Sequence, residues 1–332
     1  MIARPGIAIE RWTPLSIAAM GAVAALAAVL ALGPLFLGAY AVDRLTTLFI
    51  YVLLATMWNA LAGYGGLVSV GQQAFFGLGA YAAIRLSSFG LPVYPALVLG
   101  AVLAGAVAYA VSGFALRLRG GEFAIGMWVL AEAFHLLVNL DRLINGETGT
   151  SLIALNAFAP GSRRDYNYWL ALASMAGLLA LMFALLRGRL GSAVQAIRDS
   201  EEAAASLGVR VLTAKRIAFV VAGAGCGLAG TLYLATSISF QPSTYFGVQW
   251  TAYMIFMVLV GGLGTFEGPI IGAIVFFAIE SLFGASGIWY LVGLGATAVA
   301  FALYLPRGLW GTLEDKYGIR LLPVGYRVAQ RS

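Results

Sequence analysis

Apolar residues run in long blocks along this chain, and charged residues fall mostly between the blocks. A helix that crosses a bilayer needs roughly 20 mostly apolar residues. On that rule the pattern predicts about ten spans: 15–37, 45–61, 73–88, 94–116, 123–140, 168–186, 217–235, 250–263, 269–282 and 288–305. The eighth and ninth are short. The expected fold is all-α, a polytopic membrane protein forming a single transmembrane domain over 1–332, and inverted repeats are compatible with it.

The basic residues set the expected topology. With the N-terminus inside and ten alternating spans, 15 Lys and Arg residues fall inside and five fall outside: Arg44, Arg85, Arg142, Arg163 and Arg164. That bias supports an even number of spans, with both termini cytoplasmic. Residues 141–167 then form an outer loop, with turn signals at Asn145-Gly146 and Pro160-Gly161. Residues 187–216 form the longest inner loop, and 306–332 a polar tail with no sign of a folded domain.

Two stretches interrupt the helical pattern: 63–73 (GYGGLVSVGQQ) and 260–269 (VGGLGTFEGP). Both cluster glycines with polar side chains inside apolar sequence. Irregular backbone at membrane depth needs protein or a water-filled cavity to satisfy it. Gly-interrupted segments in two halves point to a transport path, and ordinary tight turns or small-residue helix contacts are the plain alternative. The candidate path residues are Tyr64, Gln72, Gln73, Phe75, Phe76, Gly261, Gly262 and Gly264. The aromatic ones fit helix packing equally well.

Composition removes the soluble alternative. The chain has 332 residues, 61% hydrophobic and 10% charged, with mean hydropathy +0.91. Soluble domains are about 45–50% apolar and about 25% charged. The net charge of +6 is thinly scattered, without the compact basic stripe of a nucleic-acid partner. One cysteine, Cys226, allows neither an intrachain disulfide nor a cysteine metal cluster. Arg4 and Arg11 precede an apolar run too long for a signal peptide, so an uncleaved first helix is expected.

The segment 187–216 reads RGRLGSAVQAIRDSEEAAASLGVRVLTAKR. Ser192 and Gln195 have capping-box spacing and would start a short helix. Asp199 and Glu202 repeat it and would cap a second one, with Glu201 and Glu202 favoured in its first turn. Gly208 fits the position that ends it. A helix of about two turns is marginal alone in water, so a partner surface or the membrane body must hold it.

Glu202-Ala203-Ala204, three residues and Gly208 resemble the E-A-A-x-x-x-G loop of importer channel subunits in the ATP-binding-cassette class. Four longer runs are similar to branched-chain amino-acid importer channel subunits. They are 58–66 with 74–81, then 116–125, 196–208, and 258–264 with Gly268-Pro269. The resemblance covers about 45–305 and is nearest to the longer of that system's two homologous channel subunits. It implies a second homologous permease subunit, two cytoplasmic ATPase subunits and a periplasmic solute-binding protein in a bacterial inner membrane. It also implies that Glu202, Ala203, Ala204 and Gly208 dock on the ATPase.

The chain has two lysines, Lys215 and Lys316, and neither follows a glycine. No Walker A loop can exist here, so no bound cofactor is expected, and ATP with Mg belongs on partner subunits. A different reading rests on intramembrane polar groups: Glu132 and His135 at i and i+3, and Glu280. A proton- or sodium-coupled carrier would use them as a relay; buried structural hydrogen bonds would also explain them. A membrane-embedded enzyme finds no nucleophile set and no metal cluster to support it.

Overall fold

The computed structural model describes residues 7–10, 14–284, 287–317, 321–322 and 327–330. Its helices are α1 (Pro14–Ala31), α2 (Gly33–Phe36), α3 (Ala39–Asn59), α4 (Gln73–Ser88), α5 (Val93–Ala115), α6 (Gly120–Asn139), α7 (Pro160–Arg187), α8 (Arg189–Asp199), α9 (Glu201–Ser206), α10 (Val211–Ser237), α11 (Pro242–Tyr245), α12 (Gln249–Gly261), α13 (Gly268–Phe283), α14 (Ile288–Tyr304) and α15 (Gly308–Tyr317). A π-helical turn, Ala60–Tyr64, continues α3. Strand is minor: β1 (Ile7–Glu10) pairs antiparallel with β4 (Arg327–Gln330), and β2 (Thr150–Ser151) with β3 (Ser239–Phe240).

Every predicted apolar segment is helical over most of its length. Among the described residues, eight helical stretches are long and apolar enough to cross a membrane. The other two predicted spans, α4 and α13, have 16 residues each. That is about 24 Å of helix, short of a full crossing, and each follows one of the glycine-rich breaks. Several helices overrun their apolar windows: α3 begins before Leu45, α7 before Tyr168 and α10 before Ile217. Charges end a hydropathy window but not a helix, because Lys and Arg stems lie along apolar surface while their heads stay in water.

Two local expectations are corrected. Pro160-Gly161 is no turn: it opens α7, with Pro in the first turn, where its missing N–H costs nothing. The first apolar run stops as a helix at Ala31, just ahead of Pro34. Within the tail, the single helix α15 packs on α12 and buries Trp310. The turn at Asn145-Gly146 is real, with both residues left-handed (φ 56° and 61°).

The central helix is α3, buried along most of its length between α7, α10, α12 and α13. The closest packing is among α4, α5 and α10. There Gly79 meets Gly227 so tightly that a Cβ on Gly79 would lie 2.7 Å from the Gly227 Cα. In lipid, apolar side chains gain nothing by leaving the solvent, so small residues that let backbones touch do the binding. At the periphery, α1 and α14 leave most of their apolar faces bare. Such faces need lipid or a protein partner.

The bundle has two chemically distinct ends. One, the elbow end, carries α8, α9, α15 and the C-termini of α3 and α12. The other, the loop end, carries β2, β3, α11 and residues 140–159. Both glycine-rich breaks follow a helix C-terminus and meet at the elbow end. As a pair they run in the same sense, so they are not related to each other by inversion.

Candidate functional site

The helix α8 is amphipathic. Gly191, Val194 and Ile197 recur every three residues and face the bundle, against α7 and α10. It starts at Arg189 after an extended Gly188, so Ser192 is not its cap; the Ser192 hydroxyl donates to the Arg189 carbonyl at 3.1 Å. The chain then turns at Ser200. Ser200, rather than Asp199, caps α9: its hydroxyl accepts from the Ala203 N–H at 3.3 Å. Asp199 pairs with Arg198 instead.

As the spacing predicts, Glu201 and Glu202 occupy the first turn of α9. Gly208 ends the helix in a left-handed conformation, φ 84°. The Gly208 N–H donates to Ala205 O (2.9 Å) and the Val209 N–H to Ala204 O (3.1 Å). This is the paired Schellman closure, and a side chain at Gly208 would strain it. Lys215 of α10 reaches Glu201 at 2.6 Å and ties the short helix to the body. Ala204 faces inward and is buried; Glu202, Ala203, Ser206 and Leu207 face outward. Leu207, 84% exposed, is the feature that sequence reasoning passes over. A bare leucine between a helix end and its glycine is the signal that marks it.

Behind the elbow lie the two breaks. Asn59 joins them: its Nδ2 donates to Thr265 O (2.8 Å) and its Oδ1 accepts from the Gly264 N–H (2.9 Å). Gly63 and Gly264 touch backbone to backbone, and a Cβ on Gly63 would come within 2.6 Å of the Gly264 nitrogen. Arg198 closes the junction from α8, its Nη1 donating to the Gly63 carbonyl at 2.9 Å. Beside it Gly262 turns at φ 139°, and Thr265 bonds back to the Gly262 carbonyl at 2.8 Å. Gly261 packs against the Gly268 and Gly272 backbone, and Tyr64 is buried. Glu267 accepts from the Leu322 N–H at 2.8 Å. Burial raises the Glu267 carboxyl above the usual carboxylate range, against the pull of that N–H.

The remaining path candidates lie deeper. Gln72 and Gln73 open α4 and are both buried. Gln73 bonds Thr251 of α12. Phe75 packs edge-on to Phe219 (5.5 Å between centroids). Phe76 lies among Trp250 (4.3 Å), Tyr245 (5.6 Å) and Tyr233 (5.8 Å).

The three ionisable candidates belong to the loop end. Glu132 and His135 do share a face, 3.1 Å apart, and His135 Nε2 lies 2.8 Å from Glu147 in the outer loop. Burial would raise the Glu147 carboxyl, but Asn139, His135 and the Ser243 N–H together hold it below its usual value. Glu280 accepts from the Tyr51 hydroxyl at 2.9 Å and stands 3.9 Å from Arg44. Among the described residues, no group of acids, histidines and cysteines has the placement of a metal site.

A helical bundle of this apolarity, broken at two clasped glycine loops and carrying an amphipathic elbow upon them, is a multi-pass membrane permease. The sequence pattern of the family described as "Branched-chain amino acid transport system / permease component" matches residues 40–305, and the chain belongs to that family. The high-affinity branched-chain amino acid transport system permease protein LivM of Escherichia coli (strain K12) is 28% identical over 295 residues, covering 81% of this chain and 69% of the relative. The protein of the same description from Salmonella typhimurium is 27% identical over 303 residues, covering 83% and 71%. A probable branched-chain amino acid transport permease protein LivM from Methanocaldococcus jannaschii is 27% identical over 194 residues, 56% of each chain. No solved structure matches the chain.

Proposed function

We propose that this protein is a channel-forming subunit of an ATP-driven importer of branched-chain or related amino acids. Its N- and C-termini are cytoplasmic, in a bacterial inner membrane. The elbow end faces the cytoplasm, as the excess of basic residues there favours. A second homologous permease subunit completes the channel. Two cytoplasmic ATPase subunits bind ATP and Mg, and a periplasmic binding protein delivers the solute.

One observation carries the reading: a two-turn helix, too short to stand alone, presents a small, partly apolar face outward while the helix before it is bonded to the junction of two membrane helices. Glu202, Ala203, Ser206 and Leu207 form the face that enters the ATPase. Ala204 seats α9 on the body, and Gly208 ends it. Movement of α9 reaches α8 through the Ser200 turn. Arg198 then passes it to Gly63 and Gly264, at the feet of α3 and α12. A shift there opens one side of the bundle as the other closes.

Glu132, His135 and Glu280 stand within about two turns of helix ends, which favours interfacial pairing over a relay across the membrane. The test is a pull-down of the tagged protein from detergent. A Walker-motif ATPase and a second permease chain are expected with it, and Gly208→Val is expected to release the ATPase at unchanged membrane levels. A protein that purifies alone and moves solute on a proton gradient would sink the reading.

A further inference from the structure

We propose that the N-terminus of α4, together with the side-chain amide of Gln72, is a contact site for the carboxylate of the transported amino acid at mid-membrane. The proposal rests on the importer reading above and names the solute group that this part of the bundle takes.

Depth comes first. The Gln73 side chain is bonded to Thr251. Thr251 precedes Gly261 by ten residues of α12, about 15 Å. Gly261 marks the elbow end, and half of a ~30 Å hydrocarbon core is ~15 Å. The helix α4 therefore begins near the midplane and ends at the loop end, where Arg85 meets Asp141 at 2.6 Å. A helix starting there aims the positive end of its dipole into the membrane interior, the arrangement that suits an anionic solute group. The chain before it is non-helical, pinned by Trp58 Nε1 donating to the Ser69 carbonyl at 2.9 Å.

The second observation is independent of the dipole. Gln72 is fully buried, and neither its Nε2 nor its Oε1 has a hydrogen-bond partner among the described residues. It does not cap its own helix. Its neighbours along the chain are paired: Gln73 with Thr251, and the Ser69 hydroxyl with the Gly71 N–H at 3.3 Å. An unpaired amide in this setting is costly, and nothing in the packing compensates for it. An amide has two N–H donors and one carbonyl acceptor. Its Nε2 suits the carboxylate and its Oε1 the ammonium of an α-amino acid. Here the bundle is closed over the site. The clasped breaks lie at the elbow-end foot of this region, so a motion passed through Arg198 is placed to part the start of α4 from α12 and admit the solute.

The test uses the complete importer in proteoliposomes, with saturating leucine-loaded binding protein and radiolabelled leucine. Gln72→Met keeps the length and removes both polar atoms. Leucine uptake is expected to fall about tenfold or more, the effect of losing a hydrogen bond to a charged group. ATP hydrolysis and melting temperature are expected to hold. Gln72→Asn, which keeps the amide, is expected to retain clearly more uptake than Gln72→Met. Uptake by Gln72→Met within about twofold of the parent, less than one such bond, overturns the proposal, the amide then holding an internal water only. Equal losses in both variants overturn it as well, because shape and not amide chemistry would then matter. A loss that comes with lowered melting temperature or lost ATPase activity marks a packing role and also overturns it. If the parent protein itself neither binds an ATPase nor moves leucine, it is the importer reading that fails, before any variant is compared.

Discussion

Arg198 donates to the carbonyl of Gly63 at 2.9 Å, across 135 residues of sequence. The bond joins the α8–α9 elbow to the end of the central helix. In the proposed mechanism it is the transmitting contact. Arg198→Ala is expected to lower uptake by about tenfold or more, since hydrogen bonds to charged groups contribute about 1.5–3 kcal/mol. ATP hydrolysis by the assembled importer is expected to persist. Uptake and hydrolysis measured on the same proteoliposomes separate the two; a variant that transports normally removes Arg198 from the path.

Leu207 tests the outward face. It is largely exposed, so Leu207→Asp is expected to leave the stability of the isolated subunit, read by thermal melting, within about 0.5 kcal/mol of the parent's. The same change is expected to abolish recovery of the ATPase in a pull-down. Recovery at parental levels would move the docking surface elsewhere.

Gly63→Ala tests the junction of the breaks. A Cβ there would press on the Gly264 backbone, which has no flexible side chain to yield. A loss of about 1–3 kcal/mol is expected, as for other overpacked sites. Gly21, with nothing within 4 Å of its would-be Cβ, supplies the control. Thermal melting in detergent reads both, and equal melting temperatures would refute the tight fit.

The loop end carries a pH-dependent latch. Asp141 accepts from the Tyr81 hydroxyl at 2.7 Å, from Arg85 at 2.6 Å and from the Leu143 N–H at 3.0 Å. Burial alone would raise its carboxyl, but these donors outweigh burial and hold it below the usual carboxylate range. A carboxyl depressed in the folded state contributes stability above its unfolded pKa of about 3.9, and that stability is lost as pH falls through the folded value. The melting temperature is expected to drop below about pH 4, and Asp141→Asn is expected to flatten that part of the profile. Glu267 works in the opposite direction. Its raised carboxyl disfavours the folded state at neutral pH, and that penalty is relieved as acid is added.

The helices are legible in the sequence because lipid demands long apolar runs; of the two spans read as short, the ninth is the short α13, while α11 lengthens the eighth to a full span and α4 is the other short helix. Helix ends are less legible. Ser200 and Asp199 both precede an acidic turn, and only the extended backbone of Ser200 (φ −161°, ψ 111°) decides which one caps. Gly208 is readable because a left-handed helix end calls for glycine. The bond from Arg198 to Gly63 leaves no local trace, since residues so distant in sequence share no periodicity. Nor does the pattern reveal that Ala204 points inward beneath α9 while Leu207 points out: a helix of six residues is too short to display a face. The stranded amide of Gln72 is visible as polarity in an apolar setting, but its lack of a partner emerges only from packing.

The attachment of α1 has a consequence for how the chain is made. The Tyr168 hydroxyl donates to the Leu30 carbonyl at 2.7 Å, and Trp169 Nε1 to the Ala31 carbonyl at 2.9 Å, each across 138 residues. At ~5–20 residues per second, synthesis reaches α7 roughly 7–28 s after it finishes α1. For that interval the first helix lacks the two side chains that anchor its end. Its unbroken run of small and aliphatic residues lets it wait in lipid as a lone span, and its two exposed carbonyls remain available until the aromatic pair of α7 arrives to receive it.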